Sequence, residues 1–67
     1  MNFYENRQKT IKFIENLIKN EGKIDKNQLI YNVQKQSGFS ERFVNKQLEL
    51  LFNLNLIKFE ENFIIWV

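Results

Sequence analysis

Three helices followed by a β-hairpin, an α+β arrangement in one small domain, is the fold this sequence predicts. Three observations carry the prediction. Apolar residues recur at helical spacing through Arg7 to Asn20 and again through Glu41 to Leu54. Two short polar residues, Asp25 and Ser40, stand where helix starts are capped. The tail from Leu56 to Val67 is rich in Ile, Phe and Trp and is interrupted by a polar pair, as a hairpin requires.

The first helix is placed over Arg7–Asn20. Ile11, Ile14, Leu17 and Ile18 form one stripe, and Lys9, Lys12, Asn16 and Lys19 fall opposite it. Gly22 suits a left-handed C-terminal position. Ile24 is stranded between two helices and is expected to form a very short strand. Asp25 with Gln28 three residues later fits a capping box, so the second helix starts there, buries Leu29, Ile30 and Val33, and ends near Gln36. Ser37-Gly38-Phe39 reads as a tight turn. Ser40 caps the third helix, Glu41 complements its positive end, and Val44, Leu48 and Leu51 occupy one arc. The helix is expected to reach about Leu54, with Asn55 in the left-handed conformation that Asn tolerates. Leu56–Glu60 and Phe63–Val67 then form two strands around Glu61-Asn62. The last strand is apolar on both faces, so its outer face needs a cover.

Composition narrows the function. The chain has 67 residues, no Cys, no His and no Pro. A disulfide framework, a thiol nucleophile and a zinc-thiolate site are excluded, and the commonest general base and metal ligand are missing. No phosphate-cradling glycine loop is present. Glu60 and Glu61 are the only adjacent carboxylates, and a short chain leaves little room for the water-excluding pocket an acid–base pair needs. The expectation is a non-enzymatic protein with no cofactor, no metal and no small-molecule substrate. No apolar run has the length of a membrane span, and Met1–Glu5 lacks a secretory signal's order, so a cytoplasmic or nucleoid location is expected. Net charge is +2, with Asn, Ile and Lys abundant. The distribution is uneven: residues 1–39 carry seven basic and four acidic groups, and residues 40–67 three and four.

The segment "GFSERFVNKQLELLFNLNLIKFEENFIIWV" resembles the end of a winged helix-turn-helix domain. Leu48, Leu51, Asn55, Leu56 and Ile57 match the family's exit from its third helix into the wing, and "KQSGFSER" resembles the link between its positioning and recognition helices. The likeness spans Arg7 to Val67 and is greatest toward the small winged helices of replication proteins. It implies a three-helix winged helix-turn-helix with a small antiparallel wing, Ile24 joining the sheet. It also implies modest-affinity binding to double-stranded DNA in transcription regulation or replication, with the third helix in the major groove. On the outward arc of that helix, Arg42 suits guanine, Asn45 an adenine edge and Lys46 a phosphate. Ser40 and the helix N-terminus suit another phosphate. Lys9, Lys12 and Lys19 offer a sequence-independent phosphate track. Against this, the wing tip is Glu60-Glu61-Asn62, with Lys58 the wing's only cation. Lys46 also has Glu49 within helical pairing distance.

The alternative is a protein-interaction winged helix, either a homodimer or a subunit of a larger assembly, with little DNA affinity. The sequence holds more large apolar side chains than a core this small readily uses. Phe13 adds to the first helix, which Phe3 and Tyr4 precede, and Phe43, Leu50, Phe52 and Leu54 widen the apolar arc of the third to about 200°. Tyr31, Phe43, Leu50, Phe52, Ile64 and Trp66 are the interface candidates. A DNA reader should expose Arg42, Asn45 and Lys46 without an apolar patch, whereas an interaction module should expose the apolar set.

Overall fold

A computed structural model describes residues 3–67, with side chains from Glu5 onward. In chain order the elements are α1 (Phe3–Glu21), β1 (Lys23–Asp25), α2 (Lys26–Ser37), α3 (Glu41–Asn53), β2 (Ile57–Glu60) and β3 (Phe63–Trp66). Three helices and an antiparallel sheet of order β1-β3-β2 make an α+β fold consistent with a winged helix carrying a hairpin wing. The side chains of Phe3 and Tyr4, part of the apolar surplus, lie outside the described residues.

Local chemistry sets most boundaries. α1 starts at Phe3 rather than Arg7, because no glycine or proline interrupts the segment and Glu5 complements the first turn. It stops at Gly22, whose φ of 75° is costly for any residue with a Cβ, and the Gly22 N–H donates to the Ile18 carbonyl. The start of α2 is held by Asp25, whose Oδ1 accepts from the backbone N–H groups of Asn27 (2.9 Å) and Gln28 (3.2 Å). α2 runs one residue past the expected end and includes Ser37, whose hydroxyl donates to the Val33 carbonyl at 2.8 Å. Ser40 Oγ accepts from the Phe43 N–H at 3.2 Å and caps α3. At the other end Leu56 N–H donates to the Leu51 carbonyl and Asn55 N–H to that of Phe52, a Schellman closure, with Asn55 at φ 62°.

Register decides which face each strand residue takes. Ile24 pairs with Ile64, Phe59 with Ile64, and Ile57 with Trp66, so these side chains share the inner face. Lys23 and Lys58 flank Ile65 on the outer face. The Lys23 ammonium sits 4.6 Å from the centre of the Phe63 ring. The cover that the doubly apolar strand requires is therefore lysine, with charged ends in water. β2 begins at Ile57 rather than Leu56, and β3 ends at Trp66.

Every element contributes to one core. Ile14 and Ile18 come from α1, Leu29 and Val33 from α2, Val44 and Leu48 from α3, and Ile57 and Ile64 from the sheet. Each is essentially inaccessible, which corresponds to about 1.5–3 kcal/mol per side chain relative to exposure. This core fixes α3 with its opposite side outward. It also holds the wing close to α2. The Lys26 N–H donates to the Asn62 carbonyl at 2.8 Å, and Asn62 Nδ2 donates to Asp25 Oδ2 at 3.2 Å. The hairpin turn is thereby tied to the start of α2.

Candidate functional site

At about 100° per residue, Val44, Gln47, Leu48 and Leu51 of α3 point inward and Arg42, Lys46, Glu49 and Asn53 point outward. All four outward side chains are exposed. Among the described residues Arg42 and Lys46 make no ion pair, so the Lys46–Glu49 bridge allowed by their spacing is not formed. The two cations and the asparagine Asn53 are open to a ligand, while Glu49 puts one negative charge among them.

Asn45 departs from its expected role. It is half-buried, and its Oδ1 is enclosed without a hydrogen-bond partner. Reading adenine by two bonds needs the amide oxygen as well as the nitrogen outside, so Asn45 lies on the flank of the face rather than within it. Ser40 is exposed, but its oxygen already accepts from the Phe43 N–H. The start of α3 is further organised by Phe39, stacked on Phe43 at 4.3 Å, and by the Arg7 guanidinium, 5.8 Å from the Phe43 ring centre. Arg7 therefore stands beside α3.

The lysines of α1 are dispersed. Lys9, Lys12 and Lys19 are all exposed on the arc opposite Ile14 and Ile18. Lys9 lines a recess with Gln36 and Ser37 at the end of α2, whereas the Lys19 ammonium lies 5.9 Å from the Trp66 ring centre near the end of β3. Ile11 and Glu15, not the lysines, line the groove that α1 shares with α3. The stripe and the outward face of α3 are thus separate surfaces.

The apolar expectation is divided. Tyr31, Leu50 and Phe52 are exposed, as the interaction reading requires. Ile64 is 0% exposed because its register puts it at the centre of the inner face, which removes it from any surface patch. Phe43 and Trp66 are half-buried against the core and are not free anchors. Leu54, Leu56, Phe59 and Val67 are exposed instead. Phe52 meets Phe59 at 5.4 Å on the wing side of α3. Leu50 and Leu54 border the α1 groove on its other side, so apolar strips flank the polar face without crossing it.

Two residues outside the expected set shape the site. Gln47 lies in the core arc between Val44 and Leu51, and its Nε2 is buried with no partner. Its position in the helical period was the available signal, masked by its polar type. Asn62 ties the wing tip down, and no local pattern marks a contact 37 residues from Asp25. Among the described residues no group of acidic side chains is placed to hold a metal ion, and no helix is long and apolar enough to cross a membrane. Comparison with known protein families, curated proteins and solved structures finds no match to this chain.

Proposed function

We propose that this chain is a non-enzymatic DNA-binding protein that docks α3 in the major groove of a duplex, serving transcription regulation or replication. The observation that carries the reading is the exposed, unpaired Arg42–Lys46 pair on the outward side of a helix held by its opposite face. A helix of this width fits the major groove, where base edges carry a distinct donor–acceptor code. Arg42 reads a guanine, Lys46 takes a phosphate, and Arg7 reaches a phosphate beside the helix start. Asn53 offers an exposed amide, whereas that of Asn45 is half-buried. Glu60 and Glu61 at the wing tip repel phosphate and limit the affinity.

Fluorescence polarisation with duplex DNA across a salt series tests this reading, comparing wild type with Arg42→Ala/Lys46→Ala. Binding should fall linearly in log–log form, and losing a phosphate contact should flatten the slope by about one unit. Loss of the guanine contact should lower affinity by about 1–3 kcal/mol. No binding at about 50 mM salt, where counterion release is strongly favourable, would overturn the reading.

A further inference from the structure

The sheet ends on β2, and among the described residues no backbone bond reaches its outer edge. The Val67 N–H donates to the Leu56 carbonyl, which fixes the phase of the β2–β3 ladder. Lys58 and Glu60, at even steps from Leu56, turn their backbone groups toward Ile65 and Phe63, and Ile57 and Phe59 turn theirs away. The Phe59 N–H and carbonyl therefore point off the sheet. Its side chain is 45% exposed and meets Phe52, itself 48% exposed, at 5.4 Å.

Such an edge is a template for another strand, and a lysine on it ordinarily discourages pairing. Here Glu60 follows Lys58 on the same outer face, both are exposed, and neither forms an ion pair among the described residues. Lys58-Phe59-Glu60 is thus its own complement in antiparallel pairing. A two-fold axis through Phe59 sets Lys58 of each copy against Glu60 of the other, and lets the two Phe59 residues exchange both backbone bonds. An axis one residue away, through Lys58 or Glu60, opposes like charges instead, so charge selects one register. The other edge of the sheet offers no equivalent. On β1 the Asp25 carboxylate is already engaged by the start of α2 and by Asn62, and Ile24 is buried.

We infer that the β2 edge is the contact for a second copy of this chain, joining two three-stranded sheets into one continuous sheet. Phe52 and Phe59 of both copies then close into one aromatic cluster beneath the joined strands, which takes their exposed ring surface out of water. The paired stretch is short, so the association is a weak one. The inference does not depend on DNA binding.

Sedimentation equilibrium over a concentration series up to about 1 mM, where weak contacts populate, tests it directly. Wild type should move from 8.2 kDa toward twice that mass. Lys58→Glu and Glu60→Lys, each checked for folding by circular dichroism, should each weaken association about tenfold, because two attractive cross-strand pairs become repulsive. Lys58→Glu takes the net charge from +2 to 0, so general repulsion between copies falls and only the specific pairing predicts a loss. An equimolar mixture of the two variants should associate as wild type does, since glutamate then faces lysine in both pairs. In wild type the Phe59 N–H should exchange with solvent more slowly as concentration rises. A chain that stays at 8.2 kDa throughout overturns the inference. So does a dimer that neither variant weakens, a mixture that associates no better than its components, or a Phe59 N–H indifferent to concentration.

Discussion

Asp25→Ala should cost more than any other single change at an incompletely buried position, because one carboxylate serves two elements. Its Oδ1 caps α2 through Asn27 and Gln28, and its Oδ2 accepts from the Asn62 amide at the wing tip. Losing an N-cap costs about 1 kcal/mol. Losing one exposed side-chain hydrogen bond costs about 0.5–1 kcal/mol. Together they give about 1.5–2 kcal/mol, which in a domain of this size lowers the melting temperature by about 6–16 °C. Asn62→Ala removes only the second contribution and should lower it by about 2–8 °C. Asp25→Asn keeps a good cap and should resemble Asn62→Ala. The double variant Asp25→Ala/Asn62→Ala should melt close to Asp25→Ala alone, since the second change removes a bond already lost. Thermal melts followed by far-ultraviolet circular dichroism measure all four. Additive losses in the double variant, or Asp25→Ala no worse than Asn62→Ala, would refute the view that one side chain joins the α2 cap to the wing.

Leu48→Ala empties a core position on α3 and should destabilise the chain by about 2–5 kcal/mol, seen as a shifted urea midpoint. Asn55→Val places a β-branched residue at φ 62° and should cost about 1–2 kcal/mol, whereas Asn55→Gly should be neutral or better in the same melt. Glu60→Gln/Glu61→Gln removes the wing's carboxylates. DNA affinity should rise a few-fold at low salt, and the gain should fade as salt is raised.

Much of the fold is legible because it rests on short-range chemistry. As caps, Asp25, Ser40 and Asn55 act within a few residues of themselves, and each stands where local preference puts it. That Ile24 joins the hairpin's sheet is likewise readable, since an isolated apolar residue between helices has few ways to be buried; that its partner is the last strand is not. What escapes reading is tertiary. Ile64 and Phe59 are both large and apolar, yet one is 0% and the other 45% exposed, because β3 is the central strand and β2 an edge. Gln47 is buried by its position in the helical period despite its amide. The Asn62–Asp25 bond joins residues far apart in sequence, so neither neighbourhood announces it.

The position of the wing tip bears directly on how DNA would be engaged. A wing that enters the minor groove must project from the sheet and offer positive charge to phosphates. Here the turn is two residues long, begins as soon as β1 ends its pairing, and is bonded to the start of α2 through both the backbone and the side chain of Asn62. It presents Glu60 and Glu61, with Glu61 held at φ 58°. Such a wing braces the sheet against α2. On the proposed reading, DNA recognition rests on α3 and on the cations beside it, Arg42, Lys46 and Arg7, and few phosphates can be neutralised at once. The consequence is a shallow salt dependence for a single copy.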